Sequence, residues 1–385
     1  MSVALRSVLR LVAIGVVGGV LSAPLAATPY LPRDDRELLA EVPAGAHHAE
    51  LNARQLAHSR LDVAIPLAQF YVQQARRSGD LRFLGYAEAA LAPWVGKNTV
   101  NPGALVLQAT VQQSRHDFAG ALVTLDRTLA ARPNDPQAWL TRATVLRVLG
   151  RFTEASTACA QFARWADPEV SVICQQGILG LAGHLDSAYA ILAAASTQGM
   201  VDLERSWRAS ELGDMAVRLG RDADAERYYR AALQATPGDF YLRAALADLL
   251  LRQRRSAETL VELAGHESIE PLLLRLAIAQ RQERDPGLRH SRELLLAAFS
   301  AEAARGEAIH RREQARFLLE VEDRPREALG VALANWSLQR EPDDLLILVQ
   351  AARAAGSLGE ADAALNFARA QGLHDARLSL LGISL

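Results

Sequence analysis

The chain has 385 residues, of which 50% are hydrophobic, 5% aromatic and 22% charged, and its formal net charge at neutral pH is −2. This balance argues against a nucleic-acid partner and against strong attraction to an anionic membrane surface. Lys97 is the only lysine, so the many arginines are not by themselves a signal of phosphate binding. The hydrophobic cores must be built mainly from alanine, leucine and valine, which suits closely packed helices.

Residues 1–27 have the pattern of a secretory signal peptide. Arg6 and Arg10 precede an apolar stretch over residues 11–21, and small residues follow this stretch up to Ala27. The apolar stretch is shorter than the roughly 20 residues that a spanning helix needs, although a retained membrane anchor is the alternative. We therefore expect an exported protein that begins near Thr28, is periplasmic in a Gram-negative cell, and has no stable membrane insertion after cleavage.

Residues 28–101 divide into two parts. Residues 28–52 are predicted to be an irregular lead-in, in which His47 and His48 are exposed and bind no metal. Residues 53–101 are predicted to contain one helix pair, with helices over 61–77 and 81–91. The turn residues Ser78, Gly79 and Asp80 separate these two helices.

A small residue recurs with a period near 34 residues through the rest of the chain: Ala121, Ala155, Ala188, Ala225, Thr259, Ala328 and Ala361. Five residues before it a turn residue recurs: Gly150, Gly183, Gly220 and Gly356, with His116 and Arg254 as variants. Prolines end the units at Pro133, Pro168, Pro237, Pro271 and Pro342. Such a period indicates a stacked repeat array in which each unit is a helix–turn–helix.

One unit shows the pattern most fully: Leu212, Gly213, Ala216, Leu219, Gly220, Ala225, Tyr229, Ala232 and Pro237. In these positions the sequence resembles the tetratricopeptide repeat (TPR) family, and the resemblance covers about residues 102–373. It implies an all-α, right-handed superhelical solenoid of about eight or nine helix pairs.

The resemblance also implies boundaries along the array. Regular units span 102–264, a degenerate helical unit 265–308, C-terminal units 309–375 and a tail 376–385. The degenerate unit keeps the spacing but loses most signature residues, with helices expected over 270–284 and 288–305. We expect it to be the least stable part of the array.

In the TPR family the first helices line a concave groove that binds partners. Carried over by register, the lining would include Thr110, Gln113, Thr144, Arg147, Asp214, Arg218, Asp248 and Arg252. Trp207 and Tyr241, one repeat apart, are expected to be partly exposed there, and the alternative is that both rings are core. The resemblance implies a non-catalytic scaffold for a peptide or protein, in envelope assembly or secretion. The alternatives are a carbohydrate-binding protein or enzyme using the groove, and a self-associating repeat protein.

The chemically reactive residues are few. Cys159 and Cys174 flank a turn at similar heights, so they are either a disulfide or two buried thiols. A single Glu307-x-x-His310 resembles half of a carboxylate-bridged metal motif, and we expect it to face solvent. No catalytic motif occurs. We therefore expect no enzymatic activity, no cofactor and no metal, and the sequence leaves the oligomeric state and the partner unknown.

Overall fold

The computed structural model describes residues 48–96, 101–305 and 309–385, so the predicted signal peptide and most of the lead-in lie outside the described residues. The described residues form α-helices and two short 3-10 turns, with no β-strand among them. The α-helices are α1 His48–Ala57, α2 Leu61–Ser78, α3 Arg82–Leu91, α4 Pro102–Ser114, α5 Phe118–Ala131, α6 Pro136–Val148, α7 Phe152–Phe162, α8 Pro168–Leu179, α9 Leu185–Ala194, α10 Asp202–Arg218, α11 Asp222–Ala235, α12 Phe240–Arg252, α13 Ser256–Leu263, α14 Glu270–Glu283, α15 Leu288–Ala304, α16 Arg311–Glu320, α17 Pro325–Leu338, α18 Pro342–Ala354, α19 Asp362–Gln371 and α20 Ala376–Leu380.

Consecutive helices pack as pairs along the array, most extensively α2 with α3, α4 with α5, α6 with α7, α10 with α11 and α16 with α17. The all-α prediction and the prediction of stacked helix pairs are confirmed. Among the described helices, none is both long enough and apolar enough to cross a bilayer.

The periodic positions in the sequence are the contact points inside each unit. All seven recurring small residues, from Ala121 to Ala361, are completely buried. The recurring turn residues all have positive φ, including the two that are not glycine, His116 at 60° and Arg254 at 61°. Asp323, five residues before Ala328, follows the same rule with φ 57°. The turn conformation thus recurs from unit to unit even where glycine, which adopts it at least cost, is absent.

The two ends of the described array differ from the predicted boundaries. Residues 48–52 are helical, because α1 is held by Arg54, which pairs with Glu50 at 2.6 Å and donates to the Tyr71 hydroxyl of α2 at 2.7 Å. At the other end the predicted tail contains α20, and Leu378 in it is completely buried. Both ends therefore belong to the packed array.

Distant parts of the array also touch each other. The Arg340 backbone N–H donates to the Val148 carbonyl, 192 residues earlier, at 2.8 Å. The rings of Phe152 and Phe367 lie 6.3 Å apart. A single buried cluster joins residues between 143 and 181 to residues between 315 and 378. The open groove that the sequence implies is therefore partly closed.

Candidate functional site

A cavity of about 340 Å³ lies between α12, α14, α16 and α18. Six arginines line it: Arg252, Arg254, Arg275, Arg312, Arg316 and Arg377. Three carboxylates join them, from Asp248, Glu320 and Asp343. First helices of successive units thus build the cavity, with Arg377 of α20 completing it.

The 34-residue register explains which side chains reach the cavity. Steps of 34 residues from Trp207 lead through Tyr241 to Arg275 and then, past Ile309, to Asp343 and Arg377, and these last two and Arg275 line the cavity. The same steps from Asp214 lead through Asp248 to Gln282, Arg316 and Gln350, which also line it. Sequence reasoning missed these six because it carried the groove register only as far as Arg252. The missing signal was the period itself, which continues through the degenerate unit after its signature residues are lost.

Asp248 anchors one side of the cavity. Its carboxylate accepts from Arg275 at 2.7 Å and from Arg316 at 2.8 Å. Burial would raise the pKa of Asp248, but these two guanidinium groups lower it below its ordinary value. Arg316 also pairs with Glu320 at 2.7 Å. These ion pairs hold both arginines in fixed orientations beside the cavity.

On the other side of the cavity, Asp343 pairs with an arginine as Asp248 does. Arg377 lies between Asp343 and Asp375, at 2.6 Å from each. Burial would raise the pKa of Asp343, but Arg377 and Arg312 together lower it well below its usual range. Arg312 in turn lies 3.5 Å from Asp344, whose pKa burial raises to about 7. Carboxylates thus hold the arginines in place around the cavity.

Of the groove residues that the sequence predicts, Asp248 and Arg252 line the cavity. Arg252 is paired with Asp222 at 2.5 Å. The hydroxyls of Thr110 and Thr144 each donate to a carbonyl of their own helix at 3.0 Å, and Gln113 is half-buried on α4.

The other predicted groove residues on α6 and α10 are held in internal contacts. Arg147 pairs with Glu211 at 2.7 Å. Asp214 accepts from the Tyr229 hydroxyl at 2.6 Å, and burial raises its pKa to about 7. Arg218 is buried and donates to the Gly180 carbonyl at 2.6 Å, so the prediction that it lines an accessible groove is wrong. The cause is the close approach of α8 to α10, where glycines leave room for the side chains of α10.

The two aromatic residues in matching register have different surroundings. Trp207 is half-buried against two core clusters, and its indole donates to Glu211 at 3.3 Å. The Tyr241 side chain is 60% exposed, with its ring stacked on Phe240 at 4.3 Å between centroids. Charges from α2 and α16 lie near its phenol, those of Arg76, Arg312 and Glu313. Of these two aromatic residues, Tyr241 is therefore the more exposed.

The two cysteines are joined as a disulfide in the structure. Cys159 of α7 and Cys174 of α8 have Cα atoms 5.7 Å apart, a usual separation for this bond. Both are buried in the cluster that also joins the middle of the array to its C-terminal helices. The bond thus covalently ties two neighbouring units at this junction.

A second group of polar side chains lies around His310. Its Nδ1 is 3.2 Å from Glu270 Oε1 and 3.3 Å from Glu302 Oε2, so it does not face solvent as the sequence indicates. Burial would lower the pKa of His310, but the two carboxylates raise it to about 9. Burial raises the pKa of Glu270 to about 7. Burial also lowers the pKa of nearby His116 to about 4, with the charge of His310 adding to the effect.

Comparisons with known proteins give only structural neighbours. No family model matches the sequence, and no curated protein is significantly similar to it. Solved structures that resemble the chain include the TPR protein TTC0263 of Thermus thermophilus, with 23% identity, coverage of 47% of this chain and 99% of that one, and a TM-score of 0.37. PilF of Pseudomonas aeruginosa has 18% identity, coverage of 52% and 92%, and a TM-score of 0.38. Yeast Tom70 has 11% identity, coverage of 83% and 94%, and a TM-score of 0.26.

The chain is similar to TPR proteins. The repeat period, the paired helices and the buried small residue of each unit are the features that carry this similarity. At these TM-scores the solved structures add no argument about function.

Proposed function

We propose that this protein is an exported, non-catalytic scaffold that binds an acidic segment of a protein partner at the arginine-lined cavity. The observation that carries this proposal is the lining, in which six arginines converge on one cavity. Five of them are also ion-paired with carboxylates, three of which lie outside the lining: Asp222, Asp344 and Asp375. A guanidinium group is planar and matches a carboxylate with two parallel hydrogen bonds. Arginines already held by carboxylates lose little conformational entropy when a ligand binds.

The size of the cavity limits what can enter it. A volume of about 340 Å³ is at the small end of ligand sites and accommodates one or two side chains, not a folded domain. Arg312 lines the cavity and also lies near the Tyr241 phenol. An extended segment that places an acidic side chain in the cavity would then pass the exposed ring of Tyr241, and aromatic residues are frequent hot spots of binding.

A carbohydrate ligand or an enzymatic role is the second candidate, because carboxylates, amides and arginines converge on one cavity. Carboxylate, amide and guanidinium groups all form hydrogen bonds with the hydroxyls of a sugar. A glycoside hydrolase, however, needs one carboxylic acid that keeps its proton near neutral pH. Asp248 and Asp343 are both ion-paired with pKa values below the ordinary range, so they favour binding over catalysis.

Export is supported by the pattern of residues 1–27 and by the Cys159–Cys174 disulfide, since such bonds persist in oxidising compartments. A periplasmic location and a role in envelope assembly or secretion are part of the proposal. N-terminal sequencing of protein from fractionated cells tests it. We expect a mature chain that starts near Thr28 outside the cytoplasm, and an intact Met1 in the cytoplasm would contradict export.

Calorimetric titration of the purified protein with hexaglutamate tests the binding site. We expect saturable binding that weakens as salt is raised, since exposed charges are screened. Arg316→Gln and the more exposed Arg254→Gln should each weaken it at least about tenfold, or 1.4 kcal/mol. Arg227→Gln, on the outer face of α11, is the matched control and should bind like the wild type.

Two results would reject the acidic-segment proposal. One is an absence of hexaglutamate binding, and the other is an equal loss of binding in the Arg227→Gln control. Titration with the neutral hexasaccharide maltohexaose runs in parallel. Binding of this sugar that Arg316→Gln abolishes would favour the carbohydrate candidate instead.

A further inference from the structure

Glu270, Glu302 and His310 bring three potential metal ligands together from separate parts of the chain. Glu270 begins α14, Glu302 is in the last turn of α15, and His310 immediately precedes α16. One ligand atom from each lies within 4.8 Å of the other two. The short contacts are 3.2 Å and 3.3 Å, both from His310 Nδ1 to a carboxylate oxygen.

These separations fit a tetrahedral metal ion. With bonds of about 2.1 Å to nitrogen and oxygen, as zinc forms, two ligands of a tetrahedral ion lie about 3.4 Å apart. The two contacts made by His310 Nδ1 are close to this value. The cluster therefore already holds its nitrogen near the required spacing from each of the two carboxylate oxygens.

The hydrogen bonding of the cluster is incomplete. Glu302 Oε1 accepts from the backbone N–H groups of Ile309 and His310. His310 Nδ1 carries at most one proton and faces two carboxylates, so it cannot donate fully to both. Glu270 Oε1 is buried and accepts no well-formed hydrogen bond. An acceptor that is buried without a donor is costly, and a cation at this point would satisfy it.

We propose that Glu270, Glu302 and His310 bind a Zn²⁺ ion, with His310 Nδ1 and one oxygen of each carboxylate as ligands. The ion displaces the proton of Nδ1, which leaves to solvent, and two carboxylate charges balance the charge of the ion. Three protein ligands leave a fourth position for water. The site ties α14, α15 and the start of α16 together, so its role is to fix the degenerate unit within the array.

Titration of untagged, chelator-treated protein with ZnCl₂ by calorimetry tests the site. We expect one equivalent to bind, and Glu302→Gln and His310→Gln each to weaken binding at least about tenfold. His290→Gln, an exposed histidine of α15, is the matched control and should bind like the wild type. Glu270→Gln keeps the shape of the side chain, and circular dichroism of each variant establishes that it folds.

The adjacent histidines His47 and His48 are a competing source of zinc affinity, so the double variant His47→Gln/His48→Gln is included. The proposal requires this double variant to bind one equivalent of zinc, as the wild type does. No saturable uptake by the wild type would overturn the proposal. So would unchanged affinity in folded Glu302→Gln and Glu270→Gln, or a loss of binding confined to the His47/His48 variant.

Discussion

The regular unit of α10 and α11 and the degenerate unit of α14 and α15 bury their helices in different ways. In the regular unit Gly213 lets α10 approach Tyr229 of α11, whose hydroxyl then reaches Asp214 at 2.6 Å. The degenerate unit has lost most signature residues, yet every residue from Leu272 to Gln280 of α14 is buried.

The burial of α14 comes from its neighbours. It contacts α12, α13, α15 and α16, and Ile269 just before it lies against Gly79 at the end of α2. Arg275 of α14 is held by Asp248 of α12. The TPR signature residues thus mark a close contact within a unit, whereas the burial of a unit depends on what packs around it. The burial of α14 is more extensive than the loss of signature residues suggests, and the expectation that residues 265–308 are least stable stays a prediction.

Replacing Gly213 by leucine should have the largest effect, because a β-carbon at this position would lie 2.4 Å from Tyr229 Cε1. We expect a loss of about 3 kcal/mol or more in the free energy of unfolding, measured by chemical denaturation. Gly330→Ala on α17 is the control, since nothing lies within 4 Å of its added carbon. It should be neutral or stabilising by up to about 1 kcal/mol. Equal losses of unfolding free energy in Gly213→Leu and Gly330→Ala would contradict the close contact between α10 and α11 at Gly213.

Truncating one buried leucine in the next regular unit, that of α12 and α13, and one in the degenerate unit sharpens the comparison. Leu246 of the regular α12 and Leu274 of the degenerate α14 are both almost completely buried. Leu→Ala at either position should therefore cost about 2–5 kcal/mol of unfolding free energy. A loosely packed degenerate unit would instead make Leu274→Ala much the milder of the two, with a cost near 1 kcal/mol or less.

Trp207 and Tyr241 have the same repeat position and different expected roles. Trp207→Ala removes a ring packed against two cores and should lower the thermal midpoint, at a cost below the roughly 3–5 kcal/mol of a fully buried aromatic residue. Tyr241→Ala removes an exposed ring and should leave the midpoint nearly unchanged. Differential scanning calorimetry separates the two, and a large drop for Tyr241→Ala would place its ring in the core.

The smallest expected effect concerns pH. The pKa of Asp214 is raised to about 7 by burial, from an ordinary value near 3.8. The folded protein then holds more protons than the unfolded chain between these values, so this group makes stability fall as pH rises from about 4 to about 7. In Asp214→Asn the free energy of unfolding should therefore depend less on pH. The stability of this variant relative to the wild type should be greatest above pH 7. Unfolding free energies measured from pH 4 to 8, with the exposed Asp126→Asn as control, check it.

Much of the fold follows from the sequence because local rules determine it. The helices of the degenerate unit lie at 270–283 and 288–304, close to the predicted 270–284 and 288–305, since Pro271 and the Asp285-Pro286 pair limit them locally. The cavity could be predicted only in part. Its register is periodic, but the contact between Arg340 and Val148 that helps to close the interior joins residues 192 positions apart, and no local pattern encodes it.

We propose that a partner enters the interior beside the cavity and contacts Tyr241. A photo-crosslinking amino acid placed in the living cell at position 241 tests it most directly, with position 261 as the control. Val261 is 80% exposed on α13, the outer helix of the pair that begins with α12. We predict a crosslinked partner peptide rich in Asp and Glu from position 241 and none from position 261. Crosslinks from position 261 alone would place the partner on the outer surface and contradict the account.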